Sequence, residues 1–329
     1  MRNFLFNKGI LKSYTFNVPV IAVGNLSVGG TGKTPQIEYL IRLLSDQYKV
    51  TTLSRGYKRQ SKGFILAQAN TNAKILGDEP FQFFEKFKQI QVAVDADRKN
   101  GIEQLLLLPE KPEVILLDDA FQHRKVKAGF YILLTSYGDL YSNDWILPTG
   151  NLRESRSGAK RANVIIVTKC PGDLSLEEQK EIKNQLKVTS NQELYFTGIN
   201  YDSFVYNGKS KKQADEILSV AKVLVAGIAK PESFFAYLQH TNDVCMTFPD
   251  HHNFTDKDIL EIKNVAQKNI IITTEKDYVR LKGSLPNEQL FYLPIQSAFL
   301  SGGGFDAAEQ TKKFNKTIIE YVGKSTRNR

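Results

Sequence analysis

The chain has 329 residues, 41% of them hydrophobic, and a formal net charge of +9. That length and composition supply a core large enough for two domains and exclude a disordered or fibrous chain. No apolar run is long enough to span a bilayer, Met1-Arg-Asn-Phe-Leu-Phe-Asn-Lys8 lacks the apolar segment of a signal peptide, and Cys170 and Cys245 form no Cys-x-x-Cys pair, which argues against a disulfide framework or zinc site and for a reducing cytosol.

The first element in chain order is a β-branched apolar run, Val18–Val23, which reads as a buried parallel strand. A glycine-rich turn follows, Ser27-Val-Gly-Gly-Thr-Gly-Lys-Thr34, and then a helix whose apolar residues Ile37, Leu40, Ile41 and Leu44 share one face. Gly29, Gly30 and Gly32 let the backbone close around a ligand so that N–H groups, Thr31 among them, point at phosphate oxygens. Lys33 adds a point charge for the outer phosphates and Thr34 a hydroxyl for magnesium. The helix N-terminus faces the same anion. Ser27 stands where the usual pattern has glycine, but strand, loop and helix together read as a nucleoside triphosphate site.

Further strands are expected at Val50–Leu53, Gln91–Val94, Val114–Leu117, Tyr131–Leu134 and Val164–Thr168, with helices at Gln36–Leu44, Pro80–Phe87, Lys99–Leu108 and Leu176–Leu186. This alternation predicts an α/β fold, a parallel P-loop sheet covered by helices. A second, shorter round runs from Val223–Ala226 through Glu232–Leu238, Cys245–Phe248, Asp256–Gln267 and Ile270–Thr274 to Leu290–Ile295, with a closing helix over Ala307–Tyr321. The expected organisation is a P-loop domain over 1–193, an inter-domain strand over 194–210 pairing with about 290–299, and a smaller α/β domain over 211–329.

Acidic motifs punctuate this plan. Asp118 and Asp119 end a buried strand at the sheet edge where open α/β folds bind ligands, which suits a magnesium carboxylate; neighbours on a strand point to opposite sides, so one of the two ligates directly. Gly77-Asp-Glu-Pro80 places Asp78 either as a helix N-cap or as the base that accepts a proton from an incoming hydroxyl. Asp95-Ala-Asp97-Arg98 is similarly ambiguous, since a strand ending in Asp then Arg is common as a surface turn. Arg153 and Glu154, beside Gly150, could stabilise a transferred phosphoryl group and join the metal shell. Asp250-His251-His252 gathers half of the four histidines, with no third histidine or cysteine nearby, so proton handling or orientation is preferred to metal binding. Thr273-Thr-Glu-Lys-Asp277 reads equally as a nucleotide contact or a capped turn. The positive charge calls for an anionic partner, but with no helix-turn-helix, zinc finger or basic–aromatic platform, nucleic acid is not expected.

Jointly, Gly24-Asn25, Ser27–Pro35, Leu53-Ser-Arg-Gly-Tyr57, Gly77–Pro80, Asp97-Arg98, Asp118–His123, Gly150–Glu154, Asp250–His252 and Thr274–Asp277 resemble the tetraacyldisaccharide 4′-kinase family of lipid A biosynthesis. The resemblance implies phosphoryl transfer from ATP, with Mg2+, to the 4′-hydroxyl of a tetraacylated glucosamine disaccharide 1-phosphate, in two α/β domains joined by a β-ribbon with the site in their cleft. It implies Lys33 and Thr34 on phosphates and metal; Asp118, Asp119 and Glu154 around the metal; Asp78 as base with help from His251 or His252, the first favoured; and Arg55, Arg98 and Arg153 on phosphate or substrate. It also implies peripheral attachment to the anionic cytoplasmic face of the inner membrane, without an obligate protein partner. Family members commonly carry an additional hydrophobic N-terminal helix where this sequence begins almost directly at Arg2–Lys12, so anchoring is expected to be weak, through Phe4, Leu5, Phe6 and basic surface. A P-loop regulatory ATPase and a kinase of a soluble small molecule are the alternatives.

Overall fold

A computed structural model describes residues 2–327. In chain order the strands are β1 (Val20–Asn25), β2 (Val50–Ser54), β3 (Ile65–Leu66), β4 (Gln91–Val94), β5 (Val114–Asp118), β6 (Phe130–Ser136), β7 (Val164–Thr168), β8 (Glu193–Tyr201), β9 (Phe204–Tyr206), β10 (Lys211–Gln213), β11 (Lys222–Ala226), β12 (Val244–Thr247), β13 (Ile270–Thr274), β14 (Leu290–Leu293) and β15 (Ile295–Phe299). The α-helices are α1 (Arg2–Asn7), α2 (Lys33–Leu44), α3 (Ala73–Leu76), α4 (Asp78–Lys86), α5 (Arg98–Leu106), α6 (Leu176–Leu186), α7 (Ala214–Leu218), α8 (Glu232–Leu238), α9 (Asp256–Ala266), α10 (Glu275–Leu281) and α11 (Ala307–Arg327). The chain divides into two units, one made of Met1–Ile199 with Ser297–Arg329 and the other of Asn200–Gln296.

The first unit is built on a sheet in the order β15-β8-β7-β6-β1-β5-β2-β4-β3. The pairs of β1 with β5 and β6, β2 with β4 and β5, β6 with β7, and β7 with β8 are parallel, and the short β3 runs antiparallel to its neighbour β4. Side chains alternate across β1 with the two-residue period of a strand. Ile21 and Val23 face a core with Ile37, Leu40, Ile41 and Leu44 of α2, while Val20 and Ala22 face a second core with Ile102 and Leu105 of α5. After β1 the chain crosses to β2 on the far side of β5, and it later returns to β6 on the opposite flank of β1. This reversal opens a crevice at the carboxyl ends of β1 and β5.

The closing helix differs from the expected organisation. Phe314, Ile318 and Val322 of α11 lie buried in the same core as α2, and the Tyr321 hydroxyl exchanges hydrogen bonds with the Val20 backbone (3.2 and 3.1 Å). The helix therefore belongs to the first unit, not to a domain over 211–329. Its apolar face completes a surface that the first 199 residues leave unfilled, a fact that local sequence order does not carry.

The second unit has a sheet in the order β10-β9-β14-β13-β11-β12, parallel from β14 to β12 and antiparallel at β9 and β10. Helices cover both faces: Ile259, Ile262 and Tyr278 pack with Val223 and Val225, and Phe234 and Leu238 with Leu224 and Ala226. At one end the side chains of Lys222 and Asp243, both fully buried, form an ion pair of 2.7 Å. The continuous segments expected at 194–206 and 291–299 are each broken into two strands, at Asp202-Ser203 and at Pro294. Asp202 N–H donates to the Pro294 carbonyl (3.0 Å), and the Asp202 side chain accepts from Phe204 N–H (3.0 Å), turning the chain at that point.

Candidate active site

The loop after β1 is held by its neighbours and by a turn of its own, Thr31 N–H donating to the Gly29 carbonyl (3.1 Å). Val28 N–H donates to the Asn151 carbonyl (2.8 Å) and Arg153 N–H to Leu26 (2.7 Å), so the Gly150–Glu154 segment is zipped to the outer edge of the glycine loop. Ser27, 7% exposed, lies inside this zipper in a bridge with Leu152. From the other side the Thr168 hydroxyl, at the end of β7, donates to the Thr31 carbonyl (3.0 Å). Gly29 (φ +105°) and Gly32 (φ +79°) adopt backbone conformations that an L side chain would strain. Gly32 caps α2 without any side-chain acceptor, so the first-turn N–H groups of a twelve-residue helix are left for an anion. Gly30 lies beside the Lys169 ammonium, which comes within 4.0 Å of the place a Cβ would occupy. The buried Thr31 Oγ1, Asn25 Nδ2 and Arg153 Nε have no hydrogen-bond partner among the described residues. Orphaned buried polar atoms are costly, and a ligand seated in this loop would offer these three partners.

Charges converge on this loop from three segments. Lys33 Nζ donates to Asn25 Oδ1 (3.3 Å) and lies 3.6 Å from Asp119 Oδ1. Arg153 makes a two-pronged pair with Asp119 (2.9 and 2.7 Å) and also donates to the carbonyl and side-chain oxygen of Asn25. Asp119 itself has φ +46°, and its carbonyl accepts from Arg98 (3.4 Å). Burial alone would raise the Asp119 carboxyl, but the Arg153 hydrogen bonds, with Lys33 beside them, outweigh it and hold it at about 2. Asp118 behaves in the opposite way. Burial and then the neighbouring Asp119 push it up to about 6, against the pull of Lys33 and Arg98. Asp119 is thus committed to Arg153, whereas Asp118, which accepts only a long hydrogen bond from Ser54 (3.3 Å), carries a charge that a cation would relieve. Among the described residues no three His, Cys, Asp or Glu side chains form a ready-made metal cage. Magnesium fits such a site, since it commonly binds through one or two carboxylates with phosphate oxygens and water; Asp118 and the Thr34 hydroxyl are the residues suited to hold it.

Two residues given roles from the sequence are drawn into contacts with the protein itself. Glu154, 5% exposed, accepts hydrogen bonds from Gln122 (2.9 Å), Arg161 (2.8 Å) and Asn3 (2.9 Å), so a metal ion would share its oxygens with protein donors. It braces the Gln122 side chain, which also donates to the Asn25 carbonyl (2.8 Å). Arg98 is only 3% exposed and spends its guanidinium on the carbonyls of Ala96 and Asp119. Burial lowers it to about 10, opposed by Asp118 and Asp119. It therefore supports the aspartate turn from behind. Gly24 is required because Phe121 passes so close that a Cβ would lie 2.7 Å from Phe121 Cβ.

Asp78 is the first residue of α4, and the N-cap position falls on Gly77. Gly77 (φ +94°) and Gly56 (φ +68°) lie back to back, with a Cβ on Gly56 falling 2.7 Å from the Leu76 carbonyl. This crossing brings the Leu53–Tyr57 turn, with the exposed Arg55, to the start of α4. Arg55 acts electrostatically on Arg98, and Glu79 raises the Asp118 carboxyl, so both segments border the aspartate pair. Asn25, Glu79, Gln122 and Arg161 were given no role from sequence. For Asn25, Glu79 and Gln122 the signal was their place inside motifs already noted; for Arg161 there was none.

His251 and His252 belong to the second unit. His252 Nε2 lies 2.9 Å from Asp258 Oδ2, and its ring is stacked on Phe248 and edge-on to Phe254. Asp258 also closes the capping box of α9 with Thr255, and these bonds hold its carboxyl at about 2. The His252 ring is thus taken up by packing. His251, with φ +58°, places Nε2 at 2.8 Å from Lys276 Nζ and Nδ1 at 3.1 Å from Arg280 Nη2. The Thr274–Asp277 segment forms the cap and first turn of α10; Asp277, fully buried, accepts from Gly227 N–H (2.8 Å) and pairs with Arg280 (3.0 Å).

A parallel sheet whose first strand runs into a glycine cradle, with a loop lysine and a strand-end aspartate beside it, defines a P-loop nucleotide-binding protein of the kinase type. Comparisons with known proteins narrow this. The sequence model of the family described as LpxK, tetraacyldisaccharide-1-P 4′-kinase, matches residues 1–312. Tetraacyldisaccharide 4′-kinases from Flavobacterium psychrophilum and Bacteroides fragilis are 63% and 45% identical, each over 100% of this chain and over 94% and 90% of their own length. The crystal structure of LpxK from Aquifex aeolicus in complex with ATP superimposes with a TM-score of 0.75 at 29% identity, covering 98% of this chain and 94% of that one. The chain belongs to the tetraacyldisaccharide 4′-kinase family.

Proposed function

We propose that this protein transfers the γ-phosphoryl group of ATP to the 4′-hydroxyl of a tetraacylated glucosamine disaccharide 1-phosphate, the step of lipid A biosynthesis for which its relatives are named. The observation that carries the reading is the set of open donors and cations, from Asn25 to Lys33 with Arg153, gathered around one loop of a chain with that family's sequence throughout. The open backbone N–H groups and Lys33 bind the outer phosphates. Arg153, already poised by Asp119, lies where it can follow charge as it spreads over the transferred group. Asp118 and Thr34 would hold magnesium, which when bound neutralises phosphate charge.

A sugar alcohol has a very high pKa, so its proton leaves only as the new P–O bond forms. Asp78, at the rim of the aspartate pair, is assigned to receive it. Of the two imidazoles, His251 is assigned as helper, because the His252 ring is taken up by Asp258 and its aromatic neighbours. Arg55, exposed at the same edge, is assigned to the anionic part of the substrate. A lipid substrate and a basic chain support peripheral attachment to the anionic cytoplasmic face of the inner membrane; no helix among the described residues is long and apolar enough to cross a bilayer. α1, with Phe4 59% exposed, supports the same reading.

The test is to give the purified protein γ-labelled ATP together with a bacterial lipid extract or with a water-soluble metabolite pool. Label is expected in a lipid of the first mixture. Label in a soluble product, or hydrolysis stimulated by a protein without any labelled acceptor, would replace the reading with one of its two alternatives.

A further inference from the structure

Beside the phosphate loop the chain exposes three consecutive large apolar side chains, Trp145 (66%), Ile146 (49%) and Leu147 (50%). A folded domain rarely leaves such a run in water unless something covers it. The run is presented rigidly. The Asp144 carboxylate accepts from Trp145 N–H (2.7 Å) and Asn151 N–H (3.0 Å), and Leu147 and Leu152 bridge the base of the loop (3.0 Å, with Leu152 N–H to Trp145 at 2.8 Å). Gly150 closes it so tightly that a Cβ would lie 2.3 Å from Asp144 Oδ1.

Exposed cations flank this run, and the carboxylate beside it, Asp144, is taken up by the Trp145 and Asn151 N–H groups. Between 145 and 161 the single carboxylate is Glu154, which is buried and hydrogen-bonded, while Arg156 and Lys160 are exposed. Arg156 lies over the Trp145 ring at 5.1 Å and donates to the Asp144 carbonyl (2.9 Å). An exposed tryptophan flanked by aliphatic side chains and cations suits the headgroup layer of an anionic bilayer, where the ring sits at the interface and the cations meet lipid phosphate. α1 is tied to the same segment through Asn3 and Glu154 (2.9 Å).

We propose that the Trp145–Leu147 loop inserts into the interfacial layer of an anionic membrane; the proposal rests on the lipid-kinase reading above. Because Asn151 and Arg153 bond directly to Val28 and Leu26, seating this loop holds the phosphate cradle at headgroup level. A sugar alcohol anchored by its acyl chains would then meet ATP without leaving the bilayer.

Trp145 is the one tryptophan in the chain, so its fluorescence reports on this loop alone. The full chain, without ATP or lipid substrate, is mixed with vesicles of phosphatidylglycerol and phosphatidylethanolamine, and separately with phosphatidylcholine vesicles. With the anionic vesicles the emission is expected to shift to shorter wavelength and to be quenched by bromine-labelled acyl chains; with phosphatidylcholine both effects are expected to be much weaker. Ile146→Ser with Leu147→Ser should weaken vesicle binding by about tenfold or more while ATP binding persists, from the loss of two buried aliphatic groups. Leu107→Ser, at a site 76% exposed elsewhere on the first unit, should leave binding unchanged. Vesicle binding with unchanged tryptophan emission, no vesicle binding at all, or a shift only on adding tetraacyl disaccharide would overturn the proposal. Because no kinase reaction is measured, failure of the kinase assignment and failure of the membrane loop give different results.

Discussion

The glycine loop of the first unit and the histidine loop of the second are both dense in polar groups, but they spend them differently. Around the glycine loop, Thr31 Oγ1, Asn25 Nδ2 and Arg153 Nε are buried without partners among the described residues, and the start of α2 has no side-chain cap there. Around the histidines, His252 is bound to Asp258, His251 lies between Lys276 and Arg280, and Asp277 is bound to Gly227 and Arg280. Polar groups left open at a cost to folding imply a ligand that closes them, whereas groups bonded to one another hold a shape. The first loop is therefore read as the place where phosphate binds, and the second as a framework that orients one imidazole.

Replacing Asp78 with Asn is the strongest way to sharpen this contrast, because it removes a proton acceptor without touching the phosphate donors. Turnover is expected to fall by about 10²–10⁴-fold, the usual contribution of a general base, while ATP affinity measured by equilibrium binding stays near wild type. Unchanged turnover would remove the assignment.

The neighbouring aspartates offer a second comparison. Asp118→Asn should raise the magnesium concentration needed for half-maximal activity, whereas Asp119→Asn should chiefly lower turnover by releasing Arg153. Stability of the metal-free protein supplies an independent readout. An Asp118 carboxyl that ionises at about 6 when folded, against an ordinary value near 3.8, penalises the folded state as pH rises through that window, and the penalty is complete above it. Asp118→Asn should therefore stabilise the metal-free protein at pH 7.5 by about 1 kcal/mol after allowance for solvent screening, and much less at pH 4. Thermal melts at the two pH values check the sign; a variant less stable than wild type at pH 7.5 would contradict it.

The smallest expected effect separates the histidines. His252→Ala should cost about 1–2 kcal/mol of stability through the lost hydrogen bond and ring stacking, whereas His251→Ala should lower turnover more than it lowers stability. Melting curves and steady-state rates for the pair measure this directly, and a reversed pattern would exchange the two roles.

Much of the fold was legible in the sequence. β1, β5 and β7 announce themselves as β-branched apolar runs, and α2 by its apolar face, because these patterns are local. The glycine cradle was legible for the same reason. Not legible was anything decided by a partner distant in sequence. Glu154 is met by Asn3, Gln122 and Arg161, and Asp119 by Arg153 from 34 residues away, and neither set of partners can be read from local sequence. Arg98 appears in a promising Asp-Arg pair, yet its helix turns it into the interior. α11 reads as part of the second unit by order along the chain but packs on α2 through Phe314 and Ile318.

The central claim is that the cradle from Asn25 to Thr34 delivers the terminal phosphate of ATP to a lipid sugar alcohol. Its most direct test is a single-turnover reaction of wild type and Lys33→Ala with γ-labelled ATP, magnesium and tetraacyldisaccharide 1-phosphate, following label at the 4′ position. Wild type is expected to label the lipid, and Lys33→Ala to do so about 10²–10³-fold more slowly, the cost of losing one preorganised charge at the reacting group. Equal rates in the two proteins, or ADP formed by wild type with no label in the lipid, would contradict the account.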